Sequence, residues 1–221
     1  MKISEIAFQV RKKIPVSNIC PNDYVSTDNM RPNFGGVEPS SSLPPYGTVT
    51  AFQPNDILLS NIRPYFRKIW LATHHGGCNA DVLCIRTNAT ECLPKYLYYL
   101  LTTDNFIRDY LKSCKGAKMP RGDVKRLLDY EFNLPPMSEQ LRIAGLITSM
   151  IVLLGSVPIS RFNRQTHRPS ISVNRLSISA IVGIVSRTTQ GRIGNRLFPN
   201  SQSLPQKTPS VIRSSPYQLQ D

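Results

Sequence analysis

The feature that most constrains this chain is an abrupt change of composition near Gly155. Residues 1–154 carry 18 basic and 13 acidic side chains, whereas residues 155–221 carry 9 basic and 1 acidic. Eight of those nine are Arg, and the same stretch holds twelve Ser, six Pro and no Glu. Such a segment cannot bury enough apolar surface to offset ordering entropy, which predicts a mostly disordered tail. Its apolar run, Ile178 to Val185, is too short to span a membrane. The folding problem therefore reduces to the first 154 residues, room for one domain of ordinary size. The net charge of +13 favours a polyanionic partner, but the tail alone supplies +8 of it.

Within the body, short β-branched runs bounded by turn residues predict strands near Val49–Phe52, Ile57–Ile62, Lys68–Ala72, Val82–Arg86 and Glu131–Leu134. Helical patterns lie between and after them: Lys95–Thr102, Asn105–Cys114 capped by Asp104, and Val124–Tyr130 capped by Asp123. Phe106, Ile107, Tyr110 and Leu111 recur at helical spacing and should form one buried face. The implied class is α+β, a small mixed and twisted sheet with flanking helices, without βαβ repetition. The last element is the most regular. After Pro135-Pro136, Ser138 can cap a helix from Glu139 to about Leu154. Ile143, Ile147, Met150 and Leu154 fall at four-three-four spacing, the pattern of an a/d seam. A terminal helix docked on its own domain satisfies the same periodicity, so both readings stay open.

Five cysteines, Cys20, Cys78, Cys84, Cys92 and Cys114, are irregularly spaced and odd in number. Free thiols in a reducing cytoplasm are the plain reading. The N-terminus lacks the apolar core of a signal peptide, and no stretch approaches the ~20 apolar residues of a membrane helix. The expectation is a cytoplasmic protein without a membrane partner.

Signatures of chemistry are missing. Lys115-Gly116-Ala117-Lys118 has one glycine and lacks the glycine-lysine-serine/threonine ending of a phosphate loop. Pro44-Pro45-Tyr46 follows Leu43, where an amino-methyltransferase needs an Asp or Asn to accept from the target amine. His74, His75, Cys78, Cys84 and Cys92 lie close in sequence, but only His75 to Cys78 has a zinc-like short spacing. No catalytic residue, metal site or cofactor is expected.

Two segments stand out together. The first runs Asp56-Ile57-Leu58-Leu59-Ser60-Asn61-Ile62-Arg63-Pro64-Tyr65-Phe66-Arg67-Lys68-Ile69-Trp70. The second is Lys115-Gly116-Ala117-Lys118-Met119-Pro120-Arg121, followed by a short helix and Asn133-Leu134-Pro135-Pro136-Met137-Ser138-Glu139-Gln140-Leu141-Arg142-Ile143-Ala144. In content, order and separation this pair resembles the target-recognition domain of type I restriction-modification specificity subunits. The resemblance covers about residues 1–150.

It implies a non-catalytic reader of double-stranded DNA, in which residues 1–137 form the recognition domain and 138–154 begin a spacer helix. Methyltransferase and restriction subunits are the implied partners, and pairing with another specificity half-subunit is a further one. Ile143, Ile147, Met150 and Leu154 would then pack against a second spacer helix. The departure after Leu154 suggests a second half that is missing, with residues 155–221 disordered or translated out of frame.

The candidates for DNA contact are Lys115, Lys118 and Arg121 in one basic run, and Arg63, Tyr65, Arg67 and Lys68 in the other. The first run is favoured, because Arg63–Lys68 lies in the part of the motif that looks structural. A degenerate subunit that docks methyltransferase through Glu139–Leu154 without reading DNA is the alternative.

Overall fold

A computed structural model describes residues 1–116 and 119–155, the side chains of Leu154 and Gly155 excepted. Lys118 and the predicted tail from Ser156 onward lie outside the described residues.

Two strands are buried on both faces, and the rest is arranged around them. β5 (Ile57–Ser60) is buried at every position, and β8 (Val82–Thr87) at all but one. They pair antiparallel, with Leu58 opposite Cys84 and Ile57 opposite Ile85. β1 (Ala7–Gln9) flanks β8 and β6 (Ile69–Leu71) flanks β5, giving a four-stranded antiparallel sheet in the order β1-β8-β5-β6. Because side chains alternate across a strand, Ile57, Leu59, Leu83 and Ile85 enter one apolar cluster, while Leu58, Val82 and Cys84 enter another. A continuous apolar run is what a strand covered on both faces requires.

Helices cover the first face. α1 (Ile3–Ile6), α2 (Pro94–Leu101), α3 (Asp104–Leu111) and α4 (Val124–Leu128) bring Ile3, Ile6, Leu97, Leu101, Phe106, Tyr110 and Leu127 into that cluster. A second sheet covers the other face. It is built from β2 (Lys13–Pro15), β3 (Tyr24–Val25), β4 (Thr48–Phe52) and β7 (Gly76–Cys78) in the order β2-β4-β7-β3. β3 and β7 run parallel, and the other pairs in that sheet run antiparallel. Gly76 marks how closely this sheet packs: a Cβ there would sit 2.1 Å from the Asp23 carbonyl oxygen and 2.5 Å from the Phe52 ring. The α+β class holds, with the strands divided between two sheets.

Several local expectations change. Thr103, one residue before Asp104, caps α3 by accepting the Phe106 N–H at 3.3 Å, and the helix ends at Leu111 rather than Cys114. Glu131–Leu134 is not a strand. Glu131 forms a lone bridge with Lys2, because α1 begins at Ile3 and leaves no further edge along which the pairing could propagate. The last helix, α5 (Met137–Gly155), starts before Ser138, with the Glu139 and Gln140 N–H groups returning to the Pro136 carbonyl at 2.9 and 3.0 Å. Asp123 caps α4 as expected, accepting from Lys125 at 2.8 Å.

Two buried polar side chains lock this arrangement. Asp56, 1% exposed, accepts both Arg86 Nε and Nη2 at 2.7 and 2.8 Å, together with the Gln53 N–H at 2.8 Å. Arg86 is raised above the ordinary arginine range, first by that hydrogen bond to Asp56. Gln140 is equally buried, accepting the Leu93 N–H at 2.8 Å and donating to the Glu91 and Pro135 carbonyls at 3.1 and 3.0 Å.

Removing one partner of a buried pair strands the other. Asp56→Ala is therefore expected to lower the unfolding free energy by about 3 kcal/mol. Glu38→Ala, which breaks only the exposed pair with Arg31, should cost under about 1 kcal/mol. Urea denaturation of the two variants reads the contrast.

Candidate nucleic-acid interface

β5 does not end in a free loop. Beyond Ser60 the chain continues through Asn61 and Ile62 to a left-handed Arg63, and the segment arriving from α3 docks alongside it. The Arg63 N–H donates to the Pro120 carbonyl at 2.8 Å, and the Gly122 N–H donates to the Asn61 carbonyl at 3.0 Å. Ile62 forms an antiparallel bridge with Arg121. Lys115 and Arg121 exchange both backbone hydrogen bonds, at 3.0 and 2.9 Å, and so close the loop between them. The two basic segments singled out in the sequence are thus one hydrogen-bonded surface.

Tyr110 fixes the junction from below. Its hydroxyl donates to Asn61 Oδ1 at 2.7 Å, and burial raises its pKa first, so it remains a donor. Gly122 lies flat on that ring; a Cβ there would meet the hydroxyl at 2.1 Å. Only glycine lets the loop approach this closely.

The predicted contact residues divide by role. Arg63 is half-buried, and among the described residues no acceptor holds its guanidinium. Lys115 is exposed and likewise without a side-chain partner among the described residues. The Arg121 side chain is 59% exposed, with Nη2 at 2.9 Å from Asp81 Oδ1. Tyr65 faces solvent, its ring 4.8 Å from that of Phe66.

Arg67 and Lys68 are instead turned toward the domain. Arg67 Nη1 pairs with Asp104 Oδ1 at 2.7 Å, and Lys68 Nζ donates to the Thr27 carbonyl at 2.5 Å. These two hold the turn rather than present a free charge. Phe66 and Met119, both exposed, stand beside these residues and were not among the candidates read from the sequence. An aromatic doublet inside a basic turn was the available signal for the first.

Of the two readings of the seam, the docked helix holds for Ile143 and Ile147. Ile143 and Ile147 are buried against Tyr99 of α2, with Met150 and Ile151 packed at the margin, and the Tyr99 hydroxyl lies 3.0 Å from Thr148 Oγ1. Periodicity marks an apolar stripe without naming its partner, and the aromatic face of α2 is that partner here. Leu154 lies outside the described side chains. The outward face of α5 carries Leu141, Leu146 and Leu153.

The histidine and cysteine run is dispersed. Cys78 and Cys84 sit in the cluster between the sheets and Cys92 in the helical cluster. Burial pushes Cys78 and Cys92 up to about 12, and Cys84 higher still. His74 is 3.8 Å from Asp23 and against Trp70, on the far side of β7 from Cys84 in sequence. Among the described residues, no three His, Cys, Asp or Glu side chains gather as a metal set.

The type I restriction modification DNA specificity domain model matches residues 2–152. The chain belongs to this specificity-domain family. A curated relative, the type I restriction enzyme EcoDI specificity subunit of Escherichia coli, is 24% identical over 170 residues, spanning 73% of this chain and 36% of the relative. The fold is similar to the HsdS subunit of Thermoanaerobacter tengcongensis, with a TM-score of 0.56, 18% identity, and coverage of 70% of this chain and 42% of that one. It is also similar to a chain from a structure concerned with complex assembly and conformational transition of the type I R-M system. There the TM-score is 0.55 and the identity 18%, with 93% of this chain and 50% of that one covered. The chain thus spans half or less of the length of these relatives.

For this specificity domain the placement of thiols gives a direct check. Native-state alkylation at neutral pH should modify exposed Cys20 first, with Cys78, Cys84 and Cys92 reacting only as fast as the domain opens. Peptide mass mapping over time reads that order.

Proposed function

We propose that residues 1–137 act as a target-recognition domain that reads double-stranded DNA, and that the helix from Ser138 to Leu154 begins a spacer. The observation that carries this reading is the hydrogen-bonded junction of the Asn61–Arg63 and Lys115–Gly122 segments. It gathers Arg63, Lys115 and Arg121 on one face. Lys118 belongs to the same loop by sequence. Such a surface supplies phosphate contacts that position a duplex, and Arg63 supplies a fork able to reach a guanine edge.

The domain itself carries no reaction in this reading and needs no cofactor. It directs methylation and restriction by partner methyltransferase and restriction subunits in the cytoplasm, and a second specificity half-subunit completes the site. Membership of the specificity-domain family supports each of these assignments. Among the described residues no helix is long and apolar enough to cross a membrane.

Selection from a random duplex library by the full chain, with and without the methyltransferase subunit, tests the reading. Enrichment of a short half-site is expected. On the selected duplex, Lys115→Ala with Arg121→Ala should weaken binding and reduce the slope of log affinity against log salt by about 2, since each phosphate contact contributes about 0.9. An unchanged slope would remove this loop from the interface.

A docking module without DNA readout is the second reading, favoured by exposed Leu141, Leu146 and Leu153 on α5. Failure of every duplex to enrich, together with retained methyltransferase binding that is lost on Leu146→Glu, would select it.

A further inference from the structure

The turn between Arg63 and Arg67 has a shape that phosphate contact does not explain. Pro64, Tyr65 and Phe66 form one short 3-10 turn, with Pro64 buried and both aromatic rings outward. Tyr65 is 47% exposed and Phe66 40%, while Phe52, Phe106 and Tyr110 are buried in the cores. Phe8 and Tyr46 are also exposed, but singly, which is ordinary for a protein surface. Here two rings stand together, 4.8 Å apart and inclined at 56°.

The tip is rigid. Arg63 and Arg67, on either side of it, both adopt left-handed backbone conformations, with φ of 47° and 54°. Non-glycine residues hold such angles only where surrounding contacts impose them, and they concentrate at functional sites. The imposing contacts are visible. The Asn33 and Phe34 N–H groups donate to the Phe66 and Arg67 carbonyls at 2.9 and 3.0 Å, and the Arg63 N–H is held by Pro120. Arg67 and Lys68 are spent on Asp104 and the Thr27 carbonyl. Their charges hold the turn, and Arg63 and Lys115, without side-chain partners among the described residues, stand beside it. Met119, also exposed, sits next to Pro120 on the adjoining loop.

We propose that Tyr65 and Phe66 form an aromatic wedge that enters a base step of bound duplex and unstacks it. This rests on the DNA-reading assignment above. A pre-ordered apolar tip loses little freedom on insertion. Flanking cations meet the phosphates on either side of the opened step, and apolar side chains inserted between base steps kink duplexes in just this way. The surrounding positive charge favours a polyanion over an apolar protein groove as the occupant.

The test uses the full chain without partner subunits and the duplex selected above, with 2-aminopurine scanned through the half-site. Wild type should raise 2-aminopurine fluorescence at one step. Tyr65→Ala with Phe66→Ala should abolish that rise and weaken binding roughly tenfold or more, with the salt slope unchanged. Tyr65→Phe should keep both, because the ring and not the hydroxyl inserts.

Wild-type binding with no fluorescence change at any position overturns the wedge while leaving the reader intact, and needs no variant to fold. Failure of wild type to bind any duplex overturns the reader and the wedge with it. A double variant that keeps DNA affinity and unstacking also overturns the wedge.

Discussion

Everything in this domain hangs on the burial of β5 and β8 from both sides. Each fully buried Ile or Leu contributes about 1.5–3 kcal/mol, and the alternation of Ile57, Leu58 and Leu59 distributes that gain between two cores. A one-residue slip would exchange the two sets and place each against a core shaped for the other. The Asp56–Arg86 pair opposes such a slip. It joins the start of β5 to the fifth residue of β8 through two parallel hydrogen bonds, a geometry that only one register satisfies. Leaving Asp56 without Arg86 is costly in a low-dielectric interior, so the pair contributes more to uniqueness than to net stability.

That register determines where the basic surface stands. β5 leads directly into Asn61–Arg63, so the start of that segment is held by the same core that holds the strand. Among the described residues from Lys115 to Gly122 no side chain is buried. The loop takes its place by backbone hydrogen bonds to that strand extension and by the Tyr110 ring under Gly122. α3 carries Tyr110 and is itself seated by Phe106 and Ile107 in the helical core. The candidate face is therefore an extension of the central sheet by one borrowed edge. Side chains on it take their positions from the central sheet.

The legible part of the sequence was the part dominated by local pattern. Ile57–Ser60, Val82–Thr87, α2 and α4 follow from apolar runs, prolines and the Asp123 cap, and they lie within a residue or two of expectation at most ends. β1, β2, β3 and β7 are two or three residues long, and Gly76-Gly77 has no strand propensity at all. They exist because a neighbour offers an edge, which no local signal announces. Ile143 and Ile147 show the complementary limit. Their stripe was visible, but whether α2 or another chain covers it depends on Tyr96 and Tyr99 about fifty residues earlier. Likewise the charges of Arg67 and Lys68 looked equivalent to that of Arg63 until Asp104 and Thr27 were seen to engage two of the three.

This sorting of charges alters what the net charge of +13 means. Most of it belongs to residues after Gly155, and within the domain many cations are engaged locally: Arg86 with Asp56, Arg126 with Asp109, Arg142 with Glu139, Arg67 with Asp104. On the candidate face Asp81 holds Arg121, while Arg63 and Lys115 have no side-chain partner among the described residues. In the proposed reading those cations position a duplex, and discrimination comes from groups that touch bases. The exposed aromatic tip beside them is what, in that reading, separates base recognition from charge alone.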